Sequence, residues 1–384
     1  RNVTLSDQEK ADLRQKTKQQ GYDLGRGQQY LNFQYEGGKD GKILETMREA
    51  AHQGIVHVVA AGNFTGETPH IGAALPYYEP QLEQFWISAV AASVFNPQYA
   101  AQPLLELYSS RCTVAKYFCL ATELGQAPQV VVNQNGTITT GYKKFTGTSG
   151  GSAQLTGAMG VVLSRYPYLT AWQARDILLT TARGRVGGKV SEQYGWGLPD
   201  LKAAMEGPGE LLRDNLVSIP AGWEDSWSND ISQAALQQRK AEDALELQEW
   251  DEKEQRAKQY RANGQTEIAD SAEQELVLLR NRIDYLRARQ KDPHGYEAGL
   301  TKAGDGRLIL SGNNSYTGGT ALLEGTLGVG SATALGTGTL DIHDGATLLS
   351  TANDLTLANA ITVKGRGVVD TQANTFTLSG DITD

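Results

Sequence analysis

From about Gly299 to Asp384 the sequence is built of short apolar segments separated by Gly, Asn and Asp. Arg307-Leu-Ile-Leu310, Thr320-Ala-Leu-Leu323, Thr326-Leu-Gly-Val329, Thr339-Leu-Asp-Ile342, Leu355-Thr-Leu357 and Ile361-Thr-Val363 recur at near-regular intervals. Segments this short cannot bury an apolar face alone. Each has to be covered by the next, so the pattern predicts a parallel β-solenoid over residues 299–384.

The composition changes sharply upstream. Residues 231–292 are highly charged and favour helix. Ala235, Leu236, Ala244, Leu245, Leu247 and Trp250 are the apolar positions before Asn263-Gly264. After it, Ile268, Ala272, Leu276, Leu279, Ile283 and Leu286 step mostly by three and four, one face of a helix. Asn-Gly is a turn signal. An α-helical hairpin joined there is expected, its interleaved charges forming a solvated face. Between this block and the preceding region, residues 207–230 read as a linker, with Gly207-Pro-Gly209 and with Trp223 and Trp227 packing on a neighbour.

Residues 1–206 have the pattern of a parallel α/β sheet. A helical stretch from Ile43 to His52 leads through Gly54 into the apolar run Ile55 to Ala61, a buried strand ending on Gly62-Asn63. Functional groups gather at the carboxyl ends of such strands, and an Asn there can present its amide N–H₂ to developing negative charge. Further on, Phe145-Thr-Gly-Thr-Ser-Gly-Gly-Ser-Ala-Gln-Leu-Thr-Gly157 precedes the apolar run Ala158 to Leu163. Ser149 would therefore sit where a glycine turn opens into a helix, beside free backbone N–H groups able to stabilise an oxyanion. Such a cluster can equally be a turn with an N-cap. That helix runs to about Arg165. Thr170 caps a second one, Ala171 to Ala182, and a third, after Tyr194-Gly-Trp-Gly-Leu-Pro-Asp200, ends near Met205.

Ala60-Ala-Gly-Asn63, Gly147-Thr-Ser149, Tyr166-Pro-Tyr-Leu-Thr170, Ile177-Leu-Leu-Thr-Thr-Ala182 and Gly195-Trp-Gly197 together resemble the C-terminal half of a subtilisin-family (S8) serine protease. The nearest type is the protease passenger of bacterial autotransporters, and the resemblance covers residues 40–210. Leu308-Ile-Leu-Ser-Gly-Asn-Asn-Ser-Tyr-Thr-Gly-Gly-Thr320 resembles the passenger-associated repeat of the same proteins. The resemblance implies a serine endopeptidase with Ser149 as nucleophile. It implies Asn63 as the side-chain donor of the oxyanion hole, and Ala60, Ala61 and Gly62 as one wall of the substrate pocket. It also implies polypeptide substrates, secretion or surface display by a Gram-negative bacterium, and a C-terminal outer-membrane β-barrel as partner.

Several positions depart from the family. Met-Ala-(Ser/Thr)-Pro-His-Val is replaced by Gly150-Gly-Ser-Ala-Gln-Leu155. Ala153 stands for a proline that would pre-set the first helical turn, and Gly150 and Gly151 are expected to loosen that turn. The triad order is Asp, His, Ser, yet His52, His57 and His70 lack the His-Gly-Thr setting of the base, and Asp23 and Asp40 lack theirs. The chain therefore reads as a fragment without the triad Asp and His, inactive alone. Two alternatives remain: a non-enzymatic, adhesin-like passenger with a decayed protease domain, or an α/β-hydrolase using Gly147-Thr-Ser-Gly-Gly151 as its nucleophile elbow. The second needs a histidine after Ser149, and only His294 and His343 follow it.

The 384 residues, 40% hydrophobic, suffice for two or more domains. The net charge of -9 argues against a nucleic-acid partner. The sequence has no apolar run long enough for a transmembrane helix. Cys112 and Cys119 could close a small loop as a disulfide or remain free thiols; their spacing resembles a cysteine pair of the autotransporter proteases, which implies the disulfide and an oxidising compartment. A zinc site would need more ligands than this region offers. No cofactor is expected. Calcium fits the family, but scattered Asp and Asn do not locate a site.

Overall fold

A computed structural model describes residues 42–63, 68–92, 108–123, 126–144 and 146–384. Asp23 and Asp40 lie outside the described residues. Helix α1 (Lys42–His52) ends at Gly54, whose φ of +81° turns the chain into strand β1 (His57–Ala60). Helix α2 (Ile71–Tyr78) and a 3-10 turn at Pro80–Phe85 lead to β2 (Trp86–Ala92), and β3 (Cys119–Glu123) follows. These strands form one parallel sheet in the order β1-β2-β3. The middle strand, Trp-Ile-Ser-Ala-Val-Ala-Ala, is buried at every position, which is why it reads as an unbroken apolar run. Strands β4 (Gln126–Val132) and β5 (Ile138–Lys144) make a separate antiparallel hairpin.

Helix α3 (Thr148–Arg165) lies across the sheet, placing Leu155, Met159 and Val162 in one core with Ile87, Ala89 and Leu120. Each fully buried aliphatic side chain there contributes about 1.5–3 kcal/mol. A Cβ on Gly151 would stand 2.4 Å from Thr122 Oγ1 on β3. This glycine, expected to loosen the turn, thus lets the helix approach the sheet closely at Thr122 and Ala89. Helix α4 (Ala171–Thr180) starts with a reciprocal capping box between Thr170 and Gln173. The short helix α5 (Leu201–Ala204) is capped by Asp200.

The expected linker at 207–230 contains two strands, β6 (Asn215–Ser218) and β7 (Glu224–Trp227). They pair in parallel with β8 (Leu300–Ala303) and β9 (Arg307–Leu310), so two sheets begin before the helical block and resume after it. Asn-Leu-Val-Ser and Glu-Asp-Ser-Trp are too polar to stand out as strands; alternate burial of Val217, Asp225 and Trp227 reveals them. Trp227 is buried as expected, but Trp223 is half exposed.

The helical block comprises α6 (Ala234–Ala262), α7 (Thr266–Leu278) and α8 (Arg280–Lys291). The reversal falls at Asn263-Gly264, where Gly264 has φ +76°. The return leg is broken at Leu279 rather than continuous. Leu245 and Ile268 are exposed, whereas Leu276, Ile283 and Leu286 are buried. The charges are not only a solvated face. Arg239 makes a two-pronged ion pair with Glu83 (2.5 and 2.7 Å) and stacks over the Tyr117 ring, and Arg282 pairs with Glu246 (2.6 and 2.6 Å) over the Tyr77 ring. Arg239 holds the Glu83 carboxyl down at about 2, against the burial that would raise it. Planar guanidinium groups suit this combination of bidentate pairing and stacking. The block is thereby fixed onto α2 and the 3-10 turns at 80–85 and 113–118.

Beyond it, β8, β10 (Thr320–Leu322), β12 (Leu340–His343), β15 (Ile361–Lys364) and β18 (Ile382–Thr383) stack in parallel beside β6. A second parallel sheet runs β7, β9, β11 (Thr326–Val329), β13 (Thr347–Ser350), β16 (Val368–Asp370). Strands β14 (Leu355–Leu357) and β17 (Phe376–Leu378) form a third. Leu308, Leu327 and Leu348 align in register inside the second sheet. Asparagines tie the turns together: Asn314 Nδ2 donates to Ala334 O (2.5 Å) while its Oδ1 accepts from Ile231 N (2.7 Å), and Asn359 Nδ2 reaches Gly336 O and Gly338 O.

Candidate active site

Strand β1 delivers Asn63 and helix α3 delivers Ser149 to the same place. Gly147, at φ +111°, is the last residue before α3, and a Cβ there would come within 3.3 Å of Asn63 Nδ2. A left-handed, side-chain-free residue is therefore required at that step. Its N–H donates to the Tyr108 hydroxyl (3.0 Å). Asn63 Oδ1 accepts from both Thr148 N (2.8 Å) and Thr148 Oγ1 (3.0 Å). Since the oxygen takes both donors, the amide orientation is set by its bonding and Nδ2 is left as the donor end. Thr148 Oγ1 also accepts from Gly62 N (3.1 Å). The wholly buried Thr148 thus pins the strand end to the helix start. Sequence reasoning assigned it no part; its signal was only its position between the glycine and the serine.

Ser149 is exposed, in the first turn of α3. Among the described residues its Oγ hydrogen-bonds nothing. Its N–H is one of those that a helix leaves without an internal acceptor. Asn63 is exposed too, and its side chain is hydrogen-bonded to Thr148, the residue before Ser149.

The other expected residues divide. Ala60 is half-buried and Gly62 partly exposed at the rim. Ala61 is fully buried, its N–H donating to Ala89 O and its carbonyl accepting from His70 N, so its side chain faces the core. Cys112 and Cys119 are joined by a disulfide, Cα–Cα 5.9 Å, that closes the 3-10 turn at 113–118. Next to it Gly195, at φ +59°, would put a Cβ 2.1 Å from Cys119 O, which accounts for that glycine in Gly195-Trp-Gly197.

None of the five histidines contacts Ser149 Oγ. His70 caps α2, its Nδ1 accepting from Gly72 N (3.1 Å), and burial lowers its pKa against a bond to the Ala60 backbone that raises it. His57 stacks on Trp86 at 4.6 Å and is likewise lowered, chiefly by burial. His52 ends α1, His294 is exposed beside Glu297, and His343 ends β12. No group of three or more His, Cys, Asp or Glu that could hold a metal occurs among the described residues.

The family model of the subtilase family, peptidase S8, matches residues 27–197. This region is therefore similar to subtilase domains. Residues 300–329 match the passenger-associated transport repeat. The chain is 32% identical over 210 residues to serotype-specific antigen 1 of Mannheimia haemolytica, covering 54% of this chain and 22% of that protein. It is 27% identical over 193 residues to the autotransporter lipoprotein NalP of Neisseria meningitidis, covering 47% and 17%. It is 24% identical over 347 residues to an extracellular serine protease of Serratia marcescens, covering 85% and 28%. The chain therefore spans between 17% and 28% of the length of these relatives. The subtilase match includes Asn63 and Ser149, which favours the subtilase reading over the α/β-hydrolase one.

Proposed function

We propose that the subtilase domain hydrolyses peptide bonds as a serine endopeptidase with Ser149 as nucleophile. Ser149 Oγ attacks the scissile carbonyl carbon and gives its proton to a general base. The carbonyl oxygen becomes an oxyanion between Asn63 Nδ2 and Ser149 N. Collapse expels the amine, which takes the proton back from the base, and leaves an acyl-serine that water, activated by the same base, hydrolyses to acid and free Ser149. No histidine among the described residues bonds Ser149 Oγ, so the general base and its carboxylate partner are assigned to no residue here. The chemistry uses side chains and backbone alone, without a cofactor. The observation that carries the reading is the Asn63–Thr148 bridge, which places an amide and an exposed serine, neither Nδ2 nor Oγ hydrogen-bonded among the described residues, at one end of α3.

We read the stacked parallel sheets as a β-solenoid stalk and the helical block as a hairpin inserted after its first rung. The domain division then runs 1–206, 207–230 as first rung, 231–292 as insertion, and 299–384 as the remaining stalk. The transport repeat and the autotransporter among the relatives support display or secretion through an outer-membrane β-barrel, with polypeptides as substrates. No helix among the described residues is long and apolar enough to cross a membrane. The test is hydrolysis of an unfolded polypeptide by the protein expressed with its complete natural sequence. Ser149→Ala should abolish it, by about 10⁶-fold in kcat; hydrolysis persisting in that variant would place the nucleophile elsewhere.

A further inference from the structure

The β4–β5 hairpin ends five residues before Ser149 and has no other strand partner among the described residues. Its register pairs Val130 with Thr140 and Val132 with Ile138, and sets Tyr142 on the same face two residues along. Val130, Val132, Ile138 and Tyr142 are 66%, 67%, 66% and 74% exposed. An isolated two-stranded hairpin is marginally stable in water, and a bare apolar face makes it more so. The opposite face, with Gln129, Val131 and Thr139, is more polar. The segment Gln126–Lys144 also carries two lysines and no acidic residue, within a chain of net charge -9. Both outer edges offer unpaired backbone groups, the arrangement that accepts an added strand.

We propose that this hairpin is an exosite that binds an extended, apolar stretch of the polypeptide substrate flanked by acidic residues. The proposal rests on reading Ser149 as the nucleophile. Three features select this occupant. The edges, unpaired among the described residues, call for an extended chain, the exposed Val130, Val132, Ile138 and Tyr142 call for apolar side chains, and a segment with two lysines and no acidic residue calls for acidic neighbours. The hairpin is also continuous in sequence with the nucleophile. From Lys144 to Ser149 the chain spans at most about 17 Å, so roughly five residues of an extended peptide lead from the hairpin to the scissile position.

The experiment uses the protein with its complete natural sequence carrying Ser149→Ala, so that binding is read without turnover. Fluorescence anisotropy would follow a labelled peptide of about twelve residues, alternating valine and threonine with glutamates at both ends. A second peptide would carry lysines in place of the glutamates. The glutamate peptide should bind at least about tenfold more tightly than the lysine peptide. It should bind about tenfold more weakly to V130T/V132T/I138T, whereas V131T on the other face should stay within about twofold. Equal binding of the two peptides, unchanged binding to the triple variant, or an equal loss in V131T would overturn the proposal. If the triple variant melts early, Tyr142→Ser alone should still weaken binding about threefold, and no change there would overturn it equally. Active-site labelling of the protein with Ser149 intact separates the two readings. Lost labelling with face-dependent peptide binding would sink the nucleophile, and retained labelling with face-independent binding would sink the exosite.

Discussion

The two ends of helix α3 are opposites. At its C-terminal end the side chains of Arg165, Tyr168 and Trp227 are joined in one hydrogen-bonded network. Arg165 makes a two-pronged ion pair with Asp225 on β7 (2.9 and 2.5 Å), the Tyr168 hydroxyl donates to the same carboxylate, and Trp227 Nε1 donates to Tyr168. This end ties α3 to strand β7, one of the two short strands before the helical block. At its N-terminal end Ser149 Oγ and Asn63 Nδ2 hydrogen-bond nothing among the described residues, and the strand is held to the helix through Thr148. Satisfied polar groups give stability, while unsatisfied ones that are held in place can stabilise a charge that appears only during reaction. On the proposed function, one helix divides anchoring from chemistry.

Substitutions at the two ends should fall on different measurements. Asn63→Ala should lower kcat by about 10²–10³, the loss seen for a side-chain oxyanion donor in a subtilisin. Its cost in unfolding free energy should be about 2 kcal/mol, for the two bonds lost by the buried Thr148. Comparable losses of rate and stability would blur the contrast. Asp225→Ala should do the reverse, removing about 2–3 kcal/mol of stability by stripping the shared acceptor from Arg165 and Tyr168. Peptidase activity per folded molecule should stay within about twofold, since the change lies at the far end of the helix. The smallest effect concerns pH. Burial lowers the pKa of His70 below 6.5, so the folded state takes up that proton less readily than the unfolded chain. Its contribution to stability is complete above pH 6.5 and is lost as the pH falls from there through the lowered folded value. His57 contributes with the same sign. Denaturant unfolding at neutral and mildly acidic pH should show a shallower acid loss in His70→Asn, which retains a capping acceptor; an unchanged slope would remove His70 from the account.

How much of this was legible in the sequence follows the same division. The strand ending on Asn63, the serine opening α3, the Thr170 cap and the reversal at Asn263-Gly264 all carry local signals, because glycine turns, caps and apolar periods are set by near neighbours. The repeat around Leu308–Thr320 was legible because each rung must solve the same packing problem. What escaped depended on distant partners. Asn-Leu-Val-Ser and Glu-Asp-Ser-Trp become strands only by pairing with β8 and β9, more than eighty residues on. Gly151 reads as looseness until Thr122 is seen against it. Arg239 and Arg282 read as surface charges until Glu83, Tyr77 and Tyr117 are found beneath them. Thr148 was visible as a residue but not as a clamp, since nothing near it in sequence announces Asn63.

The central claim is that the open end of α3 holds an activated nucleophile, and a fluorophosphonate probe tests it most directly. The protein with its complete natural sequence should take up one probe per chain, and mass spectrometry of the digest should place the adduct on the peptide containing Ser149. Ser149→Ala should take up none, while Asp225→Ala, assayed where it remains folded, should label as fully as the parent. An adduct on another serine, or labelling undiminished in Ser149→Ala, would contradict the account.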